Sequence, residues 1–195
     1  MNQLETRRQI AHLFFGIVIV LLLHFDFLNG FILFDLIILT LIFSLFSLRF
    51  QIPVVTWLLE VLDRPEDIKK FPAKGTLMFL LGGFLVVWLF PQDIALASIL
   101  ILTFGDGVST YVGTHFGKTK LFLEGRKTWE GSLAGFIAAG GGALIFLSWP
   151  EALAAALVSM IVEAFEIKLG KWEINDNITV PLAAAGTIWL FRLLI

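Results

Sequence analysis

Basic, hydroxyl and glycine residues cluster in one short stretch of an otherwise apolar chain, GRKTWEGS, and their types suggest phosphate chemistry. Two adjacent cations can neutralise a polyphosphate, and free backbone N–H groups at the start of a helix bind anions. The candidate phosphate contacts are Arg126, Lys127, Thr128, Gly131 and Ser132, with Glu130 as a helix cap or a metal ligand. The alternative interpretation is a basic membrane anchor followed by a helix cap.

Gly117-Lys118-Thr119 has the appearance of a nucleotide-binding loop, but its spacing is wrong. A Walker A loop has four residues between its glycines and lies between a strand and a helix. Only three residues separate Gly113 from Gly117, and the preceding segment is apolar enough for a membrane helix. We therefore exclude a Walker A loop and keep Gly117 as a place where the backbone can approach a ligand closely.

Carboxylates near the ends of apolar segments form the second candidate set. Such groups are costly at membrane depth, so they usually face the protein interior and serve function. Asp106 lies between two glycines, Glu163 and Glu166 share a helical face, and Asp176 and Asn177 precede the last apolar segment. Carboxylates with phosphate and water suit Mg²⁺, so Asp106, Asp176 and Glu163 are candidate metal ligands. The alternatives are a polar residue buried in helix packing or a pair with a basic neighbour.

Membrane helices must position these side chains. The chain has 195 residues, of which 58% are hydrophobic and 15% charged, against about 25% charged in soluble domains. It has no cysteine, which excludes disulfides and thiolate metal sites. A helical span needs roughly 20 apolar residues, and the apolar runs do not alternate as barrel strands would. We predict an all-α integral membrane protein, a single domain over residues 1–195, with about seven transmembrane helices near 9–25, 30–48, 74–90, 92–112, 131–149, 151–168 and 178–194.

The distribution of Lys and Arg predicts the orientation. Of the 14 cationic residues, all but Arg192 fall on one side of the predicted spans. The positive-inside rule then places the N-terminus in the cytoplasm and the C-terminus outside. The segments with the candidate catalytic residues, mainly 105–132 and 163–181, are cytoplasmic in this topology. The connection over 49–73 contains either a short interfacial helix that begins near Pro53 or an ordinary loop.

Five blocks of the sequence resemble those of one known family. The segment ETRRQIAHLFFG is similar to the pattern E-x-x-R-K-x-x-H-x-x-x-G, with Gln9 in place of the lysine. GDGVSTYVGTHFGKTKL and RKTWEGSLAG are similar to its Gly-Asp and K-[ST]-x-E-G-[ST] blocks, and VEAFE with NDNITVPL to its final acidic and D-N-x-T-[VI]-P blocks. The chain therefore resembles the CTP-dependent polyprenol kinase family, which includes dolichol kinase, phytol kinase and the CTP-dependent diacylglycerol kinase of yeast.

The resemblance implies transfer of the γ-phosphate of CTP to a membrane isoprenoid alcohol of the dolichol, polyprenol or phytol type. It implies Mg²⁺ as cofactor, with CTP, the lipid alcohol and the bilayer as partners and no nucleic acid. The implied catalytic residues are Asp106, Lys127, Glu163 and Glu166; Asn177 joins the nucleotide contacts; Glu5, Arg8 and His12 support the site from the first helix.

Three other functions stay open: a CTP-dependent diacylglycerol kinase, a phosphatidate cytidylyltransferase and a small membrane transporter. The middle block is shared with phosphatidate cytidylyltransferases, but their Pro-Gly-His-Gly-Gly run is absent. A transporter gives no reason for the cluster of Asp106, Lys127 and Glu130. The residues leave the identity of the alcohol and the oligomeric state open.

Overall fold

The structure, a computed structural model, describes residues 3–50, 53–121, 127–165, 168–169 and 172–194. The described part is built from helices and one short strand pair: α1 (Gln3–His24), α2 (Gly30–Arg49), α3 (Pro53–Leu62), α4 (Pro65–Lys70), α5 (Lys74–Leu89), α6 (Gln92–Phe116), α7 (Trp129–Ala143), α8 (Trp149–Ala164), β1 (Lys168–Leu169), β2 (Trp172–Glu173) and α9 (Asp176–Leu194). The strands pair antiparallel over two residues each, a small addition to the expected all-α fold.

Each of the seven predicted spans overlaps one of the longer helices. Within the described residues, α1, α2, α6 and α9 are long and apolar enough to cross a membrane. The other three, α5, α7 and α8, have 15 or 16 residues each. The helical, membrane-compatible architecture is therefore confirmed, while the count of seven crossings and their orientation stay predictions. The short helix expected near Pro53 is present as α3.

Helix α6 occupies the centre of the bundle. Every residue from Ile94 to Thr103 is buried, and α6 contacts α1, α5, α7, α8 and α9. Helix α2, in contrast, has two buried residues, Leu33 and Ser44, and carries large apolar side chains outward, including Phe31, Phe34 and Leu39. Exposed apolar side chains of this kind suit contact with lipid tails.

Close packing of α7 on α6 depends on two glycines one helical turn apart. A Cβ atom on Gly131 would lie 2.6 Å from the carbonyl oxygen of Ser109. A Cβ atom on Gly135 would lie 2.7 Å from the carbonyl oxygen of Gly105. The glycines let the two backbones approach closely, as small residues do between membrane helices. This close contact fixes the position of α7 against the segment of α6 that contains Asp106.

Candidate functional site

Most of the candidate residues meet at one end of the bundle. Helix α6 ends there, as does α8, while α1, α7 and α9 begin there. The contacts between α1 and α6 define an antiparallel register, in which Leu13 meets Gly107 and His12 meets Asp106. Residues as far apart in the sequence as His12 and Asp176 are thereby brought to one polar cluster.

Lys127 and Glu163 form the central ion pair of this cluster. The Nζ atom of Lys127 contacts Oε1 of Glu163, whose side chain is completely buried, whereas the Lys127 side chain is 28% exposed. The hydroxyl of Ser109 donates a second hydrogen bond to the same Glu163 oxygen at 3.1 Å. Oε2 of Glu163 is buried and has no hydrogen-bond partner. The carboxylate therefore holds the lysine with one oxygen and keeps the other free.

Asp106 lies on α6 between α1 and the start of α9. Its Oδ2 atom is 3.9 Å from Nε2 of His12, and the hydroxyl of Thr110 donates to its Oδ1 at 3.3 Å. The His12 ring is oriented by an edge-on contact with Phe79 of α5, with 5.0 Å between centroids. Asp176 interacts electrostatically with Asp106, Lys127 and His12. Two carboxylates, a lysine and a histidine thus share one region.

The stretch that contains Lys127 is fixed by a short antiparallel pairing. The N–H of Leu121 donates to the carbonyl of Lys127 at 2.9 Å, and the N–H of Trp129 donates to that of Thr119 at 3.0 Å. The carboxylate of Glu130 accepts from the N–H of Thr119 at 3.1 Å and so braces the same pairing. These bonds hold Lys127 where the chain enters α7.

Two of the predicted phosphate contacts, Thr128 and Gly117, lie at helix caps in the structure. The hydroxyl of Thr128 accepts from the N–H of Gly131 at 3.2 Å and caps the N-terminus of α7. That N–H is therefore already used, which differs from the expected donation to phosphate. Ser132, one residue further on, has a buried hydroxyl without a partner. Gly117 is the C-cap of α6, where a Cβ atom would collide with the side chain of Thr128.

A proline and a glycine position the start of α9. Pro181 lies within the helix and cannot donate a hydrogen bond to the carbonyl of Asn177. This carbonyl instead lies against Gly82 of α5, at the point that a Cβ atom would occupy. The N–H of Asn177 donates to Oδ1 of Asp176 at 2.9 Å. A residue without a side chain at position 82 therefore allows Asp176 and Asn177 to reach the cluster.

Five buried side-chain polar atoms in the described part of the chain have no hydrogen-bond partner. They are Gln9 Oε1, His12 Nε2, Ser132 Oγ, Glu163 Oε2 and Asn177 Oδ1. Buried polar atoms are usually paired, so a cluster of unpaired ones indicates a place where a ligand supplies the missing partners. Four of the five belong to residues that the sequence singled out. Gln9 was noted only as a departure from the family pattern, and its position four residues after Glu5 is the signal that could have identified it.

The predicted supporting residues form a network on α1. Glu5 accepts from Arg8 at 2.9 Å and from the side-chain amide of Gln9 at 2.9 Å. Arg64, which precedes α4, lies 3.5 Å from the same carboxylate. Glu5 thereby links the first turn of α1 to the segment between α3 and α4. Arg126 and Glu166, the remaining two predicted site residues, lie outside the described residues.

The chain has relatives among lipid kinases. CTP-dependent diacylglycerol kinase 1 of Schizosaccharomyces pombe is 26% identical over 160 residues, which cover 73% of this chain and 72% of that protein. Phytol kinase of Synechocystis sp. is 32% identical over 154 residues, which cover 71% of this chain and 63% of that protein. A probable chloroplastic phytol kinase of Zea mays is 33% identical over 132 residues, 62% of this chain but 43% of that protein.

These relatives confirm the family resemblance found in the motifs. The aligned part of the chain spans less than two thirds of the two phytol kinases. No protein-family model matches the chain, and no solved structure matches it.

Proposed function

We propose that this chain, a relative of the CTP-dependent polyprenol kinase family, transfers the γ-phosphate of CTP to the hydroxyl group of a membrane isoprenoid alcohol. The observation that supports the proposal is the set of unpartnered buried polar atoms at the end of the bundle that contains the Lys127–Glu163 pair. Phosphoryl transfer requires positioning and charge neutralisation more than covalent chemistry by the protein. A lysine, a histidine, hydroxyls and carboxylates in one region provide both.

In the proposed complex, Lys127 moves part of its contact from Glu163 to the γ-phosphate. Its side chain is partly exposed, so a phosphate group can reach it without unfolding the cluster. The free hydroxyl of Ser132 donates to a phosphate oxygen, and His12 donates from Nε2 in the ring tautomer that carries its proton there. Arg126, next to Lys127 in sequence, stays a candidate contact from the sequence alone.

Mg²⁺ fits the carboxylates of Asp106 and Asp176. Magnesium sites in phosphoryl-transfer enzymes use one or two carboxylates and complete the coordination with phosphate and water. The described residues contain no group of three or more His, Asp or Glu side chains that could hold a metal, so the proposed site depends on phosphate and water for its other ligands. The ion would neutralise phosphate charge when bound. Glu163, a predicted metal ligand, already binds Lys127 and Ser109 through Oε1, so we give it another role.

We assign Glu163 Oε2 as the acceptor for the alcohol proton. The alcohol oxygen forms a bond to the γ-phosphorus, and the bond from that phosphorus to the β–γ bridging oxygen breaks, which releases CDP. The hydroxyl proton passes to Glu163 and from there to solvent. Because Oε2 is buried and unpartnered, an arriving hydroxyl group would satisfy it.

The proposed substrate is an isoprenoid alcohol, and the alternative is diacylglycerol. The phytol kinases are the more identical relatives, at 32 and 33%, which supports the first. The diacylglycerol kinase matches over the larger share of its own length, 72%, which supports the second. Both alcohols place one hydroxyl at the membrane surface on an apolar tail.

Purified protein with Mg²⁺ and CTP labelled separately at the α- and γ-phosphates tests the proposal. Phytol, geranylgeraniol, a polyprenol, diacylglycerol and phosphatidate are offered in turn. We expect γ-label in the phosphate ester of an isoprenoid alcohol. Transfer to diacylglycerol alone would establish the alternative kinase, and α-label in a CDP-lipid would establish a cytidylyltransferase. Absence of label from every lipid would refute all three.

Asp106→Asn tests the carboxylate-centred version of the site. Loss of one carboxylate should lower γ-phosphate transfer by about 100-fold or more, because charge neutralisation is a large part of phosphoryl-transfer catalysis. A chelator should abolish transfer by the unmodified protein, and added Mg²⁺ should restore it. Full transfer by Asp106→Asn would contradict the assignment of this carboxylate.

A further inference from the structure

Asn177, in the first turn of α9, has an amide oxygen that the proposed transfer step does not use. This Oδ1 atom is buried and has no hydrogen-bond partner in the described part of the chain. The backbone of Asn177, in contrast, is held by its neighbours. Its N–H donates to Oδ1 of Asp176 at 2.9 Å and to Oδ1 of Asn175 at 3.0 Å, and its carbonyl lies against Gly82 of α5. A buried oxygen without a donor indicates a ligand that supplies the missing partner.

The periodicity of α9 places this side chain on the inner face of the helix. Position 177 lies three, four, seven and eleven residues before four of the buried positions, which is the spacing of one helical face. The buried residues of α9 are Val180, Pro181, Ala184, Ala185 and Ile188. Helix α9 packs against α5, α6 and α8. The amide of Asn177 therefore faces the bundle interior, at the end where α6 carries Asp106.

Two carboxylates share this region. Asp176, the preceding residue, interacts electrostatically with Asp106. Like charges repel, and the repulsion is strongest where water is scarce. The cations nearby do not remove it, because the ammonium of Lys127 is paired with Glu163, and Nε2 of His12 is 3.9 Å from Asp106, longer than a hydrogen bond. A further positive charge would stabilise both carboxylates.

The chemistry of an amide oxygen decides between a phosphate group and a metal ion as its partner. The oxygens of an ionised phosphate only accept hydrogen bonds, so they cannot satisfy Oδ1 of Asn177. A hydroxyl group can donate to it, but it adds no charge to offset Asp106 and Asp176. A divalent cation satisfies the amide and both carboxylates together, and side-chain amide oxygens are ligands of Mg²⁺ in other phosphoryl-transfer sites.

We infer that Asn177 Oδ1 is a third protein ligand of Mg²⁺, beside the carboxylates of Asp106 and Asp176. This inference rests on the proposed Mg²⁺-dependent use of CTP and names a further residue of that site. The amide takes one of the positions that the two carboxylates leave to phosphate and water. Because the amide is neutral, it adds an oxygen to the site without adding repulsion. The sequence-based assignment of Asn177 to the nucleotide contacts changes accordingly, from phosphate to metal.

Stabilisation by Mg²⁺ in the presence of CDP, the product nucleotide, measures metal binding without turnover. Melting temperatures of the full chain in lipid nanodiscs are recorded at constant CDP and increasing Mg²⁺, and with CDP and EDTA. Asn177→Leu removes the oxygen at similar side-chain size. We expect this variant to need about tenfold more Mg²⁺ for half of the stabilisation, since loss of one group from a metal site costs at least that much. Its affinity for CDP in EDTA should not change.

The melting temperature without ligands separates a metal ligand from a packing residue. Asn177→Leu replaces a buried, unpaired acceptor by an apolar group, so the ligand-free variant should melt no lower than the unmodified protein. A residue with only a packing role would lower the melting temperature when it is replaced.

Asn177→Asp is the second variant, and it keeps an oxygen at this position while adding a negative charge. We expect it to melt at a lower temperature without Mg²⁺, because three carboxylates then repel one another, and to need less Mg²⁺ than the unmodified protein. Asn29→Asp is the matched control. It makes the same substitution at the opposite end of the bundle, where the side chain caps α2, and should leave the Mg²⁺ dependence unchanged.

The metal ligand and the kinase fail in different ways. Unchanged Mg²⁺ dependence in both Asn177 variants would refute the metal ligand, while γ-label transfer to a lipid would still support the kinase. An Asn177-dependent response to Mg²⁺ without label in any lipid would support the metal ligand and refute the kinase. Weaker CDP binding by Asn177→Leu in EDTA would refute the metal ligand in favour of a direct nucleotide contact. Absence of any stabilisation of the unmodified protein by Mg²⁺ with CDP would also refute it.

Discussion

The ammonium group of Lys127 is paired with the carboxylate of Glu163, a side chain that is fully buried at the end of α8. The two residues are 36 positions apart, and the pair joins the chain entering α7 to the last turn of α8. A buried charge that loses its partner is strongly destabilising, so the pair couples the stability of this end of the bundle to its proposed chemistry.

Lys127→Met should lower both stability and activity. Loss of the cation leaves Glu163 with only the Ser109 bond, and we expect the free energy of unfolding to fall by about 2–3 kcal/mol. This is less than for a fully buried pair because Lys127 is 28% exposed. Phosphate transfer should fall by about 100-fold or more. Thermal unfolding in detergent and γ-label transfer measure the two effects.

The double variant Lys127→Met with Glu163→Gln separates the two effects. It contains no uncompensated charge, so its melting temperature should recover toward that of the unmodified protein. Its transfer activity should stay as low as that of Lys127→Met. Because the double variant also lacks the proposed proton acceptor, recovery of activity together with stability would contradict the catalytic roles of both Lys127 and Glu163.

Gly82→Ala should displace the start of α9, because the added methyl group would meet the carbonyl of Asn177. That backbone cannot move without shifting Asp176, so we expect a lower melting temperature and weaker stimulation of transfer by Mg²⁺. Gly83→Ala is the matched control. Its methyl group would lie 3.8 Å from the nearest atom, Cδ1 of Ile99, an ordinary contact. Equal behaviour of the two variants would disprove the positioning role of Gly82.

Local sequence signals identified much of the fold and of the site. Apolar runs between clusters of charge predicted helices that overlap each of the seven long ones observed, because a helix in lipid must satisfy its own hydrogen bonds. Carboxylates near the ends of those runs, Asp106, Glu163 and Asp176, were recognisable because charge is costly there. The free-energy cost of a charged group in an apolar segment depends on the neighbouring residues in the chain, so it can be recognised in a single sequence.

Pairwise relationships were not predictable in the same way. The sequence did not indicate that Thr128 would take the N–H of Gly131. It gave a basic partner for Glu163 only as an alternative and did not identify that partner as Lys127. Nor did it show that Gln9 would keep a free acceptor beside Tyr111. These features depend on the register between helices, which is set by contacts such as that of Gly107 with Leu13. Such contacts join residues far apart in the chain and leave no periodic signal.

Asp63, between α3 and α4, should make stability depend on pH. Burial raises the pKa of its carboxyl group above the ordinary value of 3.8, although the N–H of Ala73 donates to it and opposes the shift. The folded protein therefore holds this proton more tightly than the unfolded chain does. The stabilisation by the proton is complete below the ordinary pKa and is lost as the pH rises through the raised one.

Asp63→Asn keeps an acceptor for Ala73 and removes the charge. We expect the variant to melt at a higher temperature than the unmodified protein at pH 7, with a difference that shrinks as the pH falls toward 4. Glu60→Gln, on the exposed side of α3, is the control and should show little difference at either pH. A difference for Asp63→Asn that grows on acidification would contradict the predicted direction.

Arg192 is the one cation that the predicted topology places on the outer side, and the structure pairs it with two carboxylates. Its guanidinium lies 2.7 Å from Asp93 at the start of α6 and 2.6 Å from Glu151 at the start of α8. Acidic groups at helix N-termini and a basic group near a C-terminus also suit the helix dipoles. The pairing gives a structural reason for a positive charge at the end that lacks other cations.

The absence of cysteine from the sequence makes this orientation directly testable. Lys120→Cys places a thiol on the exposed segment after α6, and Phe27→Cys places one in the exposed turn between α1 and α2. In right-side-out vesicles, a membrane-impermeant maleimide should label the thiol at position 27 and leave the one at position 120 unlabelled until detergent is added. The positive-inside rule is the reason for this expectation. The opposite labelling would show that the topology is inverted, with the proposed nucleotide site on the outer side of the membrane. Labelling of both thiols in sealed vesicles would show that they lie on the same side.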